Sequence, residues 1–228
     1  RNESSGGATY YIKTGRNSYT AHVIDPRCMV CWYRGGMTEL TLAVGEESLR
    51  NDYKGCHRGA QAPDISMGVL NYSLTRTQPK PASKQLNPDY WFNYARPMVW
   101  MSYAETQFLL AEAALRGYQG ASLTGTAEDY YRCGVKASMD YYEIPSDVVA
   151  SYITGLVALN DGTFTSGNKE KMLEAIITQK WLAVFPNGNE GWAEFRRTDY
   201  PALANQLTNN SGGDVPIGKM IKRLLYPN

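Results

Sequence analysis

The sequence lacks an excess of charge of either sign. Its 228 residues carry 23 Lys and Arg against 22 Asp and Glu, which gives a formal net charge of +1. Binding to nucleic acid or to an anionic bilayer draws on a strong positive field, which a balanced chain does not supply. We therefore expect neither nucleic acid nor a charged membrane surface as a partner.

Long hydrophobic stretches are also missing. No run of 18 apolar residues occurs, so no transmembrane helix is predicted. The opening stretch, RNESSGGATYYIKTGRNSYT, has no apolar leader core and does not begin with Met. We expect the sequence to be a fragment of a longer protein whose targeting segment lies upstream.

Cysteine is too scarce to build a convincing metal site. The stretch CMVC places Cys28 and Cys31 at a spacing used by zinc and redox sites. A structural zinc site would need a second pair, and only Cys56 with His57 is available. We read CMVC as extended, and we expect no metal and no cofactor. The cysteines, Cys133 included, are predicted to act as small hydrophobic residues.

Histidine is scarcer still, and this bears on catalysis. His22 and His57 have no serine or cysteine placed as a nucleophile beside them. Glu190 and Glu194 lie one helical turn apart near Trp192, and paired carboxylates can hydrolyse glycosides. Glycosidase carboxylates, however, face each other across a cleft. We therefore predict that the protein is not an enzyme.

The residues that are present divide the chain into two parts. Residues 1–97 are rich in Gly, Pro, Asn and Ser, with short strand-like runs such as MTELTLAVG. Residues 98–228 carry helical patterns instead. We predict a mainly α protein, with an irregular loop-rich region at 1–97 and a helical part at 98–228.

The first two helices are predicted from their ends. Ser102 with Glu105 three residues later forms a capping box for a helix at 103–116, and Gly117 suits its C-terminal end. Thr126 with Asp129 opens a second helix, which closes before Pro145. Its predicted inward stripe comprises Tyr130, Gly134, Ala137 and Tyr141. The pair has the size of a tetratricopeptide hairpin.

Three further helices follow. Ser146 is predicted to cap a short third helix, and Asn168 a fourth. EGWAEFRR is predicted as a fifth, with Trp192 and Phe195 packed on the core. The apolar face of the fourth helix comprises Leu173, Ile176, Ile177, Trp181, Val184 and Phe185. Because a repeat stack needs about three units to close its core, two helix pairs again suggest a fragment.

The aromatic and arginine residues of TQKWLAVFPNGNEGWAEFRRTDYP could form a ligand platform or a packed core. Trp181 lies on the apolar face, which a helix must bury, so packing is the favoured interpretation. Arg196 and Arg197 are expected to bridge carboxylates with their planar guanidinium groups. The candidate partners are Glu105, Glu112 and Glu190.

Five ordered stretches together resemble one family. They are DPR at 25–27, MSYAETQFLLAEAALRG, YRCGVKASMDYY, ITQKWLAVFPNGNEGWAEFRRTDYP and the terminal KRLLYP. In this order they are similar to the C-terminal part of the SusD/RagB family, over about residues 25–228. The resemblance implies a SusD-like fold built on tetratricopeptide-like hairpins.

The resemblance also implies a function. Members of this family are outward-facing lipoproteins of the outer membrane that bind glycans and are not enzymes. They work with a TonB-dependent transporter in nutrient uptake, so the implied partners are an oligosaccharide or polysaccharide and that transporter. Contact with the membrane would run only through a lipid anchor that this sequence does not contain. The alternative is a helical-repeat module that binds a protein and no sugar.

Aromatic residues in polar loops are the candidate sugar ligands, because a pyranose stacks its C–H face on an aromatic ring. The stretch PDYWFNYARP supplies Tyr90, Trp91 and Phe92, and CWYRGG supplies Trp32 and Tyr33. These five residues are the predicted ligand-binding site. A lid that closes the helical core is the other interpretation of the stretch around Trp91.

Overall fold

The computed structural model describes residues 9–13, 19–23, 25–31, 98–118, 120, 123–203 and 222. Within them the protein is mainly α-helical, as predicted. In chain order the elements are β1 (Thr9–Lys13), β2 (Tyr19–Val23), α1 (Pro26–Cys31), α2 (Tyr103–Arg116), α3 (Ala127–Tyr141), α4 (Ser146–Gly155), α5 (Val157–Asn160), α6 (Lys169–Ala183) and α7 (Gly188–Thr198).

The N-terminal elements are a hairpin and a short helix. β1 and β2 pair antiparallel, with Thr9 opposite Val23 and Lys13 opposite Tyr19. α1 begins with Pro26, whose fixed φ suits the first helical position. The stretch CMVC lies in this helix, so our interpretation of it as extended is wrong. β2 and α1 both lie against α4, which fixes this segment on the helical stack.

The helix ends of the α2–α3 hairpin are the ones predicted. The Ser102 hydroxyl accepts a hydrogen bond from the backbone N–H of Glu105 at 3.0 Å. Gly117 adopts the left-handed conformation with φ 75°, which a residue with a Cβ rarely adopts. Thr126 and Asp129 form a full capping box. Local sequence therefore fixes where α2 ends and where α3 begins.

The two helices of this hairpin approach closely at one glycine. A Cβ added to Gly134 would lie 2.7 Å from the Phe108 ring. The ring is fully buried and meets Tyr131 edge-on, with 6.2 Å between their centroids. Gly134 therefore provides the space that Phe108 fills.

The rest of the predicted stripe on α3 is right in part, since Tyr130 and Ala137 are partly buried against the core and only Tyr141 is wrong. The buried residues beside Gly134 are Tyr131, Val135, Ser138 and Met139. Tyr141 is exposed, and Tyr130 turns back over the start of its helix. The Tyr130 hydroxyl accepts hydrogen bonds from the backbone N–H groups of Thr124 and Gly125, at 2.9 and 3.1 Å.

The third predicted helix differs in its start and its length. Ser146 makes no cap, because Pro145 already has the extended backbone of an N-cap residue and Ser146 is the first helical residue. The helix then breaks at Leu156, whose ψ of 124° is extended. A single turn, α5, follows the break.

The last two helices bury a mixed face. Asn168 caps α6 as predicted, accepting from the N–H groups of Glu170 and Lys171. Ile176, Ile177 and Val184 are buried as expected. Gln179 and Lys180 share that buried face, although neither is apolar.

Of the two aromatic residues predicted to pack from the fifth helix, α7, only one does so. Phe195 is buried, whereas Trp192 is 36% exposed, so its placement in the core is wrong. The residues of α7 that face inward are Gly191, Glu194 and Phe195. Trp192 lies at the edge of that face, about 100° around the helix from Gly191.

Candidate functional site

A groove opens between three separate segments of the chain. Its walls are the residues that lead into α2, the second half of α3 and the turn between α6 and α7. Its volume is about 1230 Å³. Trp100 and Tyr103 lie on its wall and are 85% and 68% exposed. Such a groove has room and aromatic surface for a ligand.

A buried lysine lies behind this groove. Lys180, on α6, is only 1% exposed. Its Nζ is 2.6 Å from the carboxylate of Glu194, 3.3 Å from that of Glu190 and 3.9 Å from that of Glu105. One ammonium thus joins α2, α6 and α7, and two of its carboxylates, Glu105 and Glu190, line the groove.

Carboxylates outnumber cations around Lys180, and this affects Glu105. Partial burial of the Glu105 carboxyl raises its pKa, and the neighbouring carboxylates of Glu190 and Glu194 raise it further. The positive charge of Lys180 opposes this rise. The net result is a pKa above the ordinary value. The wall of the groove therefore carries closely spaced acidic groups.

A second ion-pair group continues from the first. The Arg197 guanidinium donates two hydrogen bonds to Glu112, at 2.6 and 2.7 Å, and a third to Glu194 at 2.6 Å. Burial alone would raise the pKa of Glu112, but hydrogen bonds from Arg197 and Arg116 outweigh it and lower that pKa. The predicted role of Arg197 and its partner Glu112 are confirmed, whereas Glu105 and Glu190 bind Lys180 instead.

The neighbouring arginine behaves differently. The Arg196 guanidinium carbon lies 4.5 Å from the centroid of the Trp192 ring, a cation–π contact at the surface. Trp181 is half-buried, and its indole nitrogen would lie 3.2 Å from a Cβ added to Gly191. Trp181 therefore packs between α6 and α7, whereas Trp192 lies at the edge of α7 under the Arg196 guanidinium.

A third polar cluster ties the DPR segment to the helices. Arg27 is buried and donates to both carboxylate oxygens of Asp25, with a shortest distance of 2.6 Å. It also donates to Ser138 on α3 and to Gln179 on α6, at 2.9 and 2.6 Å. The Tyr152 hydroxyl of α4 donates to Asp25 at 3.0 Å. One arginine thus connects α1 with α3, α4 and α6.

The five predicted sugar ligands lie outside the described residues. They are Trp32, Tyr33, Tyr90, Trp91 and Phe92. The strand-like run MTELTLAVG and the division at residue 97 also lie there, and both stay predictions. Of the cysteines, Cys31 is buried and Cys133 is exposed on the groove wall.

The described ranges contain neither a metal-binding cluster nor a membrane-spanning helix. Among those residues, no group of three or more His, Cys, Asp and Glu side chains is arranged to hold a metal ion. Within the same ranges, no helix has the length and hydrophobicity needed to cross a bilayer.

Sequence reasoning missed the buried polar residues, although their spacing gave a signal. Lys180 follows Ile176 by four residues and precedes Val184 by four, so all three share one face of α6. Lys is rarely fully buried unless it is paired. A lysine inside an apolar stripe therefore predicts a buried ion pair.

Comparison with known proteins agrees with this architecture. The sequence model of the SusD-like family, described as "Starch-binding associating with outer membrane", matches residues 20–227. Among curated proteins, no relative matches this sequence.

Solved structures give the same result. A SusD homologue from Bacteroides thetaiotaomicron VPI-5482 matches with a TM-score of 0.60 and 28% identity, covering 89% of this chain and 40% of its own. A chitin-binding SusD homologue from Flavobacterium johnsoniae matches with a TM-score of 0.53 and 27% identity, covering 85% and 38%. This chain therefore spans about two fifths of either structure. Because the family model matches residues 20–227, most of the chain, and the helical fold agrees with it, the chain belongs to the SusD-like family.

Proposed function

We propose that this chain is part of a cell-surface glycan-binding subunit that works with a TonB-dependent outer-membrane transporter in nutrient uptake. The match of residues 20–227 to a family described as starch-binding and associated with the outer membrane carries this proposal. The similar structure named as chitin-binding adds support. Attachment by an outward-facing lipid anchor is part of the same proposal.

The proposed ligand-binding residues are the loop aromatics of the sequence. Trp91, with Tyr90 and Phe92 beside it, offers three adjacent rings, and Trp32 with Tyr33 offers two more. Aromatic rings in a polar stretch suit sugar faces because they present apolar surface that water solvates poorly. Trp91 is the first residue to test.

We also propose that the protein does not catalyse a reaction. Glu190 and Glu194, the carboxylates considered for hydrolysis, both bind the Lys180 ammonium and lie on one helix. A glycosidase pair needs its two carboxyl groups on either side of the scissile bond. Release of reducing ends from a glycan by the purified protein would contradict this proposal.

Binding of the protein to a panel of purified polysaccharides, starch and chitin included, tests the main proposal. We expect at least one glycan to bind in calorimetry. We expect Trp91→Ala to weaken that binding about tenfold, as truncation of a central aromatic anchor does. The thermal unfolding midpoint should stay unchanged. An unchanged affinity would reject Trp91 as a ligand residue.

The transporter partnership needs a separate measurement. Co-purification of the protein with a TonB-dependent transporter from outer-membrane extracts is the expected result. If the transporter co-purifies and no polysaccharide binds, the helical-repeat interaction module replaces glycan binding as the function. If a glycan binds and no transporter co-purifies, the uptake partnership is wrong.

A further inference from the structure

The groove beside α2 presents two aromatic side chains that are largely exposed. Trp100 and Tyr103 precede or begin α2 and leave 85% and 68% of their surface in water. Apolar side chains exposed together usually mark an interaction site. Trp100 and Tyr103 are three positions apart in the sequence and line the same groove of about 1230 Å³.

Polar side chains line the same groove as these two rings. Asn187 and Asn189 line the groove from the turn before α7, and Asp140 with Lys136 lines it from α3. Amide and carboxylate groups are the donors and acceptors that sugar hydroxyls pair with. The combination of stacking surface and hydrogen-bonding rim suits a carbohydrate better than a purely apolar ligand.

The charge on the described lining is unequal. It comprises three carboxylates, Glu105, Asp140 and Glu190, against the single exposed cation Lys136. Lys136 is already bound to Asp140, with 2.6 Å between Nζ and Oδ2. Lys180 is buried behind Glu105 and Glu190, so an anion in the groove would meet the carboxylates first.

We propose that this groove binds a sugar chain without acidic groups, with Trp100 and Tyr103 as its stacking platform and Glu105 and Glu190 repelling uronates and sulfates. The proposal rests on the proposed glycan-binding function and names the site and the chemical class of sugar. It adds a binding surface to the loop aromatics around Trp91. Like-charge repulsion within the groove sets the selection against acidic chains.

Calorimetry of the protein with three hexasaccharides tests the proposal: maltohexaose, chitohexaose and hexagalacturonate. We expect at least one of the two neutral sugars to bind and the acidic one to bind at least about tenfold more weakly, which corresponds to about 1.4 kcal/mol. Trp100→Ala should lower the affinity for the neutral sugar about tenfold. Tyr118→Ala is the matched control, because Tyr118 is also largely exposed, at 63%, and lies about 20 Å away, beyond the far end of α2.

Each outcome separates the groove from the wider function. If Trp100→Ala and Tyr103→Ala leave the affinity for the neutral sugar unchanged, the groove is not the binding site, although the protein still binds glycans. Equal affinity for hexagalacturonate overturns the selection by charge. Binding of none of the three sugars, with none of the panel polysaccharides bound either, overturns the proposed function as well. Glu190→Gln should raise the affinity for hexagalacturonate severalfold relative to the affinity for the neutral sugar, and an unchanged ratio of the two affinities would overturn the selection by charge.

Discussion

The α2–α3 pair and the α6–α7 pair are held together by different physics. Between α2 and α3, the buried Phe108 ring fills the space left by Gly134, and neighbouring apolar residues complete the contact. Between α6 and α7, Lys180 binds Glu194 and Glu190 at a face that also carries Ile176 and Ile177. The first contact depends on shape and the second on charge pairing.

The two contacts should therefore respond differently to mutation. An apolar contact loses free energy in proportion to the surface and cavity that a substitution creates. A buried ion pair that loses one partner leaves an uncompensated charge, which costs more than the pair contributed. The α6–α7 contact is thus the more sensitive one to single substitutions, although it is the less apolar.

Lys180→Met should have the largest effect on stability. It leaves the carboxylates of Glu194, Glu190 and Glu105 close together without their common cation, so we expect a loss of about 3–5 kcal/mol in the free energy of unfolding. Urea denaturation measures it. Lys136→Met is the matched control, because its pair with Asp140 is exposed and should contribute less than about 1 kcal/mol. Equal losses of unfolding free energy in the two variants would contradict a stabilising role for Lys180 among its three carboxylates.

Asp25→Asn should follow, with an effect that depends on pH. The substitution leaves the buried Arg27 without its carboxylate, and we expect a loss of about 3 kcal/mol at pH 7, since the asparagine oxygen still accepts a hydrogen bond. Burial alone would raise the pKa of Asp25, but the charge and hydrogen bonds of Arg27 outweigh it, and the folded-state pKa is lowered.

The sign of this pH dependence follows from the lowered pKa. The stabilisation from Asp25 is fully present above the unfolded-state pKa of about 3.9 and is lost as the pH falls through the lower folded-state value. The difference between the wild type and Asp25→Asn should therefore be constant from pH 7 to about pH 5 and shrink below pH 4. Unfolding curves at pH 7, 5 and 3 measure it. A difference that grows on acidification would contradict the direction of the shift.

The helix ends were predictable because their chemistry is local. Ser102, Gly117 and Asn168 each cap a helix through backbone groups that lie only a few residues away. The residues next to a helix end are therefore enough to predict where that helix begins or ends. Ser146 shows the limit of that reasoning, because the residue before it, Pro145, already supplies the extended backbone.

The candidate site was less predictable because it joins distant segments. The groove is formed by residues near 100, 136 and 187, and the partner of Lys180 lies fourteen positions away on another helix. Periodicity assigns a face to each helix without giving the angle at which two helices meet. Trp192 was misplaced for this reason, since its position on α7 lies at the border between the inward and outward faces.

Gly134→Ala tests the apolar contact and should have an intermediate effect. The added methyl would lie 2.7 Å from a fully buried ring, and overpacking of this kind costs about 1–3 kcal/mol. Alanine recovers up to about 1 kcal/mol of helix propensity. Thermal and urea unfolding should show a net loss. Gly188→Ala is the control, since an added Cβ there meets no atom within 4 Å and should not destabilise the protein.

Arg196→Gln should have the smallest effect. An exposed cation–π contact contributes about 0.5–1 kcal/mol, so the loss in unfolding free energy should not exceed that range. Trp192→Ala distinguishes the two placements of this residue more sharply. A tryptophan in the core would cost about 3–5 kcal/mol on truncation, whereas a ring that is one-third exposed and stacked under Arg196 should cost less than half as much. A loss above 3 kcal/mol for Trp192→Ala would indicate that Trp192 is buried in the core after all. The contact made by α7 would then be apolar, like that between α2 and α3.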